Sequence, residues 1–530
     1  MSGKYSGAKR VIRYGATDMA GASAVEAPGA GDLTVTQRAL VLIVVTLATT
    51  IYTATVLISS ALLPQLQGAL NATQDEVSWV MTFNILATAV ATPATGYLAA
   101  RFGRRTTMLW GAGLFAASTF MCGASNSLEE LIFWRIVQGA AGAPLIPLGQ
   151  TILLDTFPAR QHGMVIAVFG MANMIGPAIG PLFAGEIAEA FGWRWGFWMV
   201  LPVAFVTCAG LAIILERDRV GLKPRLDWTG FLTLSIAVAA AQLVVSRGQR
   251  LDWFDSSEIV IATFVAVLAL YLFVVHSLTA ERPFIRLGLL RDRNYALGLM
   301  LVTSFGMLNF APIVLLPPLL QTHAGFPDSA IGEIVSWRGI GAGIGFFVAM
   351  LMGRIDPRIT LTLGGLMQTA AGLWLMTFNL TTGLDEINLN SALQGIAVGF
   401  AWVPMTVITF ATLPSADRPE AMSMFHLLRN FGSSLFISVA VAEVVRASGV
   451  NYARLAEYVS VYNPSFDMPW VSGAWSIESV TGLARLSREM TRQAAMMGYG
   501  NAFLLYTIVS AAVLPLCFFA RMPRTAGSSR

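Results

Sequence analysis

The chain has 530 residues, of which 55% are hydrophobic and only 12% charged, with a mean hydropathy of +0.65. Soluble globular chains carry about a quarter charged residues, so this composition excludes a water-exposed globule and predicts helices packed in lipid. The formal charge of +4 gives no basis for nucleic-acid binding, because in a membrane chain the placement of Lys and Arg matters more than their sum.

Residues 1–38, rich in Gly, Ala and Ser, read as a disordered cytoplasmic tail rather than a cleaved signal, since no apolar core closely follows Lys4, Lys9, Arg10 and Arg13. A bilayer crossing takes about 20 mostly apolar residues. Fourteen such spans follow, at about 39–62, 77–100, 106–125, 129–152, 161–187, 194–215, 228–246, 258–277, 297–320, 329–352, 359–379, 388–412, 420–445 and 500–520. An even count puts both termini on one side. With that side inside, 23 of the 34 Lys and Arg lie in inside segments, 8 in outside segments and 3 within spans, so positive-inside places both termini in the cytoplasm.

The chain also repeats itself. Arg101-Phe-Gly-Arg-Arg105 after span 2 matches Arg354-Ile-Asp-Pro-Arg358 after span 10, an offset of 253. Gln138-Gly139 matches Gln394-Gly395 at an offset of 256, as does Thr156-Phe-Pro158 with Thr412-Leu-Pro414, and Asn173 matches Asn430 at 257. The expected fold is therefore an all-α membrane protein of 14 transmembrane helices. Two six-helix halves, about 39–216 and 297–520, flank a linker of 217–296 that carries two inserted helices, and 521–530 is a second cytoplasmic tail. Parallel repeats around a central cavity are a transporter architecture.

Several motifs carry chemistry. Gly96-Tyr-Leu-Ala-Ala-Arg101-Phe-Gly103-Arg104-Arg105 fills the short turn between spans 2 and 3. Its arginines can bond helix-end carbonyls and reach Asp155 at the inner end of span 4. This is a cytoplasmic gate or, equally, a fixed positive-inside anchor. Arg135 and Gln138 share one face of span 4; a mid-membrane charge is costly and faces either a cavity or a buried partner. Span 5 carries Gly170, Asn173, Gly176-Pro177 and Gly180-Pro181. These predict a kinked helix packed closely on its neighbour, or a plain small-residue seam. Arg338 in span 10, and His426, Arg429 and Asn430 in span 13, complete the polar interior, with Glu333 as the deepest carboxylate. His426 reads as a proton carrier or as a packed hydrogen-bonder. The outer segment 446–499 predicts a short amphipathic helix lying on the outer face, from Ile477, Val480, Leu483, Leu486 and Met490 at helical spacing. It would dock a partner or cover the mouth.

The four histidines and three cysteines show no metal spacing, and no phosphate-binding loop is present. No cofactor, no metal and no enzyme activity are expected.

The turn after span 2, the Arg135/Gln138 motif and the Gly-Pro motif of span 5 resemble motifs A, B and C of the major facilitator superfamily. Fourteen spans with two inserted centrally resemble its EmrB/QacA-type drug:proton antiporter branch. Pro144-Leu-Ile-Pro147-Leu-Gly-Gln150, Trp337-Arg338-Gly339 and Leu428-Arg429-Asn430-Phe-Gly432 resemble the EmrB side of it. The resemblance, over about residues 35–520, implies a bacterial inner-membrane exporter of amphiphilic small molecules. It would work by alternating access, be driven by the proton gradient and, in a Gram-negative source, be joined to a periplasmic adaptor and an outer-membrane channel. Two departures stand out. Ala100 replaces the Asp of motif A, and Thr55 replaces the span 1 Asp, leaving no carboxylate in 39–64. Coupling then falls to Glu333, Asp155, His426 or nothing. With few acids beside Arg135, Arg338 and Arg429, anionic or neutral substrates are expected over lipophilic cations. The other readings are an exporter of a lipid or native metabolite such as a siderophore or fatty acid, and a non-transporting membrane sensor or assembly partner.

Overall fold

The computed structural model describes residues 34–215, 226–281, 283–460, 462–468 and 475–519. Of the tail expected at 1–38, residues 1–33 lie outside the described residues and Val35–Arg38 are already helical; the tail expected at 521–530, the Pro469-Trp470 pair of the long outer segment and the start of the linker also lie outside them.

Among the described residues there is no strand, and a helix occupies each expected span. The first six are α1 (Val35–Ala61), α2 (Gln74–Ala91), α3 (Arg104–Ala124), α4 (Leu128–Gly142), α5 (His162–Phe191) and α6 (Leu201–Ile214). A 3-10 turn at Thr92–Ala94 carries α2 on into Thr95–Phe102, and Pro144 interrupts α4 before Leu145–Thr156. The inserted pair is α7 (Trp228–Arg247) and α8 (Ser257–Thr279). The last six are α9 (Arg293–Pro318), α10 (Asp328–Leu351), α11 (Pro357–Leu375), α12 (Leu384–Phe410), α13 (Arg418–Ala456) and α14 (Val480–Phe518). Eleven of these segments are long and apolar enough to cross a bilayer.

Local chemistry sets the ends. Capping boxes at Thr34/Gln37 and Thr73/Glu76 satisfy the first amides of α1 and α2. Asp227 caps α7 through Gly230 N and also accepts from His276 Nε2 and Phe284 N, tying both inserted helices to the segment after them. Burial pushes the Asp227 carboxyl up, but these donors outweigh it and hold the group below the usual carboxylate range.

Buried apolar side chains gather by half. One cluster, from Val41 to Leu211, belongs wholly to α1–α6 and their connectors. A second, built on α9–α14, also takes in Leu154, Ile166 and Ala167, so the first half leans on the second there. A third lies within the second half, and a small one under α7 and α8. The helices of each half are pinned by glycines where backbones touch. A Cβ at Gly139 would strike the Asn84 carbonyl, and one at Gly395 the Arg338 carbonyl.

One expectation about the outer segment is corrected. The outer amphipathic helix does not lie on the surface as a separate element. Its residues from Val480 onward form the opening turns of α14, a single helix of 39 residues. It pairs with α13, also 39 residues, through Tyr452 Oη and Ser487 Oγ at 2.9 Å, so both helices stand out beyond the bundle. Of the apolar stripe that suggested a surface helix, Leu486 is buried while Val480 and Leu483 are exposed. α5 is one continuous helix through Pro177 and Pro181. The expected close packing is present, because Gly176 and Gly180 lie directly on the α1 backbone at Thr50 and Ala54.

Candidate substrate and coupling site

Call the end bearing Arg104 and Asp155 the basic end, and its opposite the far end. Each half holds a buried arginine node between the two. In the first, Arg135 is fully buried and donates to Gln138 Oε1 at 2.6 Å, to the Thr55 and Val56 carbonyls at 3.3 Å each and to the Val80 carbonyl at 3.4 Å. Gln138 Nε2 donates to Thr119 Oγ1 at 2.7 Å, and Asn84 Nδ2 to the Arg135 carbonyl at 2.8 Å. One node thus joins α1, α2, α3 and α4. Thr55, at the position where the resembled family keeps an acid, supplies a carbonyl to the guanidinium; its own hydroxyl turns back to Ile51 O.

In the second node Arg338 donates to Gln394 Oε1 and to the Asn309 carbonyl, the latter at 2.6 Å. Gln394 Nε2 donates to Asn390 Oδ1 at 2.6 Å, and Asn390 Nδ2 to the Ala371 carbonyl at 2.9 Å. Both guanidinium charges are met by neutral dipoles. Among the described residues, neither has a carboxylate partner.

The halves meet at a third cluster. His426 of α13 is buried, and its Nε2 bonds Gln150 Oε1 of the first half at 2.8 Å. A carbonyl oxygen only accepts, so Nε2 carries the proton and Nδ1 is bare. Gln150 Nε2, His426 Nδ1, Trp402 Nε1 and Thr406 Oγ1 are buried without a hydrogen-bond partner among the described residues. The Trp402 and His426 rings lie 6.0 Å apart, and Arg429 sits over Trp402 at 5.6 Å; its guanidinium donates to the neighbouring Asn430 Oδ1 at 2.9 Å. Gly170 of α5 lets this layer close: a Cβ there would lie 2.5 Å from Phe346 and 3.0 Å from Trp402. Partly buried Met171, Met174 and Phe305 add adaptable apolar surface.

Below this layer is a latch. Asp155 pairs with Arg104 of its own half and with Arg418 Nη1 of the other at 2.5 Å. Gly96 lets α2 approach α13, since a Cβ would come within 2.9 Å of Glu420 Cα. Arg286 of the linker in turn holds Asp417 at 2.5 Å and Glu420 at 3.0 Å. Gly103, at φ +90°, makes the turn that aims Arg104. Along α13, Arg418 lies about 12 Å below His426, at 1.5 Å per residue. At the far end the packing loosens. The α10 face that meets α5 at Gly343 and Phe346 is uncovered at Ser336 and Gly332. The Asp155 latch shuts the basic end.

Of the expected site residues, Arg135 and Gln138 fall in one node, Arg338 in another, and His426, Arg429 and Asn430 in the third. Pro177 lies beside Gly176 on the α1 side of α5. Glu333 stands apart: it is exposed, near the far end, and accepts from Asn388 Nδ2 at 2.7 Å. Arg101 lies outside the latch. Sequence reading gave no role of its own to Gln150, which entered only as the last residue of the Pro144–Gln150 motif, and none to Arg418, which looked like an ordinary loop cation.

The Major Facilitator Superfamily model matches residues 44–437. Multidrug export protein EmrB of Haemophilus influenzae is 30% identical, over 88% of this chain and 92% of its own. The probable multidrug resistance protein EmrY of Escherichia coli is 31% identical, over the same shares. The solved structure of the proton:xylose symporter XylE is alike in fold alone, with a TM-score of 0.57 at 15% identity over 89% of this chain and 95% of that one. With its paired six-helix halves, this multi-span membrane chain belongs to the major facilitator superfamily.

Proposed function

We propose that this chain is a bacterial inner-membrane exporter that moves anionic or neutral amphiphiles outward by alternating access, with His426 as its proton carrier. The observation that carries the substrate preference is the set of three interior guanidinium groups, Arg135, Arg338 and Arg429, none with a carboxylate partner among the described residues. Such a field attracts anions and repels cations. The export direction is supported by the names of EmrB and EmrY and by the close α1–α5 seam. Cytoplasmic termini follow from the charge distribution; the shut basic end is then the cytoplasmic one. The α13–α14 extension is the surface offered to a periplasmic adaptor.

His426 fits the coupling role because it alone joins three properties. It is an imidazole whose second ring nitrogen can take up a proton, it lies in the layer between the halves, and it bonds across them to Gln150. Glu333 is exposed at the far end, and Asp155 is held by two arginines in the latch. A proton on Nδ1 puts a second cation one helical turn from Arg429, which favours an anion in the cleft or parting of the Gln150 contact.

The test uses proteoliposomes with an imposed pH gradient. His426→Gln keeps an amide donor toward Gln150 but cannot titrate. We expect it to lose gradient-driven accumulation while keeping substrate counterflow, and Glu333→Gln to keep both. Full gradient-driven transport by His426→Gln would remove His426 from the account. Faster efflux of a cationic than of an anionic dye would overturn the substrate class.

A further inference from the structure

At the far end, away from the cleft, a cavity of about 780 Å³ opens between the α7–α8 connector, α13 and α14. Its lining is graded. Glu443, Arg446 and Asn501 stand at the far-end rim, and Val439, Leu504 and Ile508 lie beneath. Arg446 is seven residues beyond Val439 on α13, and Ile508 seven beyond Asn501 on the antiparallel α14. At 1.5 Å per residue the polar layer therefore sits about 10 Å above the deepest apolar one. The apolar wall is not enclosed: Val439, Leu504 and Ile508 are 41%, 42% and 54% exposed. It opens sideways, where the bilayer lies.

The rim carries one charge of each sign. Arg446 Nη1 and Glu443 Oε2 are 3.9 Å apart, and Asn501 Nδ2 donates to Glu443 Oε1 at 3.3 Å. The Arg446 side chain is 81% exposed, so most of its donors are free for a ligand. The connector completes the wall in an unusual conformation. Asp252 and Trp253 are consecutive non-glycine residues at φ +54° and +53°, a backbone region L-residues seldom occupy. This turn lays the Trp253 ring against Gly248, where a Cβ would lie 2.7 Å from it, and Gln249 Oε1 fixes the indole N–H at 3.1 Å. A tryptophan at this level is the side chain that membrane interfaces select. Deeper along the same helices, Gln242 bonds Ser434 at 3.0 Å and Ser438 bonds the Val245 carbonyl at 2.7 Å, joining α7 to α13.

We propose that this cavity binds a zwitterionic phospholipid with a primary-ammonium headgroup, a phosphoethanolamine lipid, with its phosphate on Arg446, its ammonium on Glu443 and its upper chains on the apolar wall. Charge selects the class. A net anion meets Glu443 beside its only guanidinium, and a net cation meets Arg446; a dipolar headgroup satisfies both. A quaternary ammonium has no N–H to give Glu443, and one indole does not make an aromatic cage, so phosphocholine fits less well. The bound lipid braces the inserted pair against α13, the helix that also carries His426, Arg429 and Arg418. Placing the lipid in the outer leaflet rests on the sidedness proposed above; its binding does not.

The test is lipid retention by the purified full chain in native mass spectrometry. Dioleoylphosphatidylethanolamine, dioleoylphosphatidylcholine and dioleoylphosphatidylglycerol are titrated against the wild type, Arg446→Ala, Glu443→Gln and the distant Arg485→Ala. We expect the ethanolamine lipid to bind most tightly and to weaken about fivefold in each of the first two variants, the scale of one lost charge-assisted contact. Arg485→Ala should leave it unchanged. The exposure of Arg446 keeps folding out of the result. Equal binding of all three lipids, or ethanolamine-lipid binding unmoved by Arg446→Ala and Glu443→Gln, would overturn the proposal. Transport plays no part in the readout, so failure of the export reading leaves it standing, and the converse.

Discussion

The two arginine nodes are the same construction with two parts exchanged. Gly139 rests on the Asn84 carbonyl and Gly395 on the Arg338 carbonyl, which sets Asn84 of α2 against Arg338 of α10. The central glutamines, Gln138 and Gln394, correspond directly. Thr55 and Asn309, at an offset of 254, give their carbonyls to the guanidinium in each half. Arg135 stands three residues before its glutamine on α4 and Asn390 four before its own on α12, so the two fill comparable places one residue out of register. The first half places amide then guanidinium on these two helices, and the second places guanidinium then amide. What is retained is therefore not a residue at a position. It is a set: one guanidinium, one amide and one bridging glutamine that together bond four helices. Such a node holds each half rigid, and alternating access needs two rigid halves rocking about a soft interface.

The strongest way to break this comparison is to delete the guanidinium. Arg338→Ala takes the guanidinium donor from the buried Gln394 Oε1, and Arg135→Ala leaves Gln138 Oε1 only the long 3.5 Å contact from Asn84 Nδ2, each loss worth about 1–3 kcal/mol. Each should lower the thermal midpoint in detergent and abolish counterflow. The sharper version builds the second node inside the first. Arg135→Asn alone should be as damaging as Arg135→Ala, and Asn84→Arg alone should crowd two guanidinium groups together. The double variant restores the set with its parts exchanged and should recover more than half of the lost midpoint. A double variant no better than the worse single one would mean that the two nodes are alike only in outline.

The glycines test the geometric side of the same equivalence. Ala at Gly139 or Gly395 places a methyl against a carbonyl in each half, and overpacking of this kind costs about 1–3 kcal/mol. The two losses should match within about 0.5 kcal/mol if the seams are equivalent. Gly339, next to Arg338 on α10, has open space at its Cβ position. Gly339→Ala should be neutral or stabilising by up to about 1 kcal/mol, from helix propensity alone.

These nodes also mark where sequence reading stopped. The spans were legible because hydropathy depends on sums over about 20 residues, and the repeat because Gln138-Gly139 and Gln394-Gly395 survive as identities. The exchange of Arg135 with Asn390 is invisible to a search for identities, because neither residue matches at its own offset. Arg135, Arg338 and Arg429 were visible as interior charges, but not that the first two are sealed inside separate halves; that depends on which carbonyls neighbouring helices present. Glu333 looked deep because its distance from Arg338 along the chain was read as depth, whereas α10 begins only a few residues before it. The helical spacing of Val480, Leu483, Leu486 and Met490 was read correctly as a helix but not as the opening of α14, since periodicity reports a helix and not where it ends.

The finest distinction lies in the glutamines. Gln138→Glu and Gln394→Glu are nearly isosteric, and each adds a negative charge beside a guanidinium that now has only neutral partners, so both gain Coulomb energy. Both should also weaken the preference for anionic over neutral substrates. They differ in what the lost amide N–H had been bonding. Gln138 Nε2 faces Thr119 Oγ1, a hydroxyl that can swing its proton from the Phe115 carbonyl to the new carboxylate, so every group keeps a partner. Gln394 Nε2 faces Asn390 Oδ1, a pure acceptor, while the Asn390 amide N–H is committed to the Ala371 carbonyl. Turning the Asn390 amide over only moves the clash of acceptors from the new carboxylate to Ala371. Gln138→Glu should therefore be the more stable of the two by about 1 kcal/mol, one net hydrogen bond, read as the higher thermal midpoint under identical conditions. Equal midpoints would mean that Asn390 is free to re-pair, and that the amide in the second node is a spacer rather than a bonded corner.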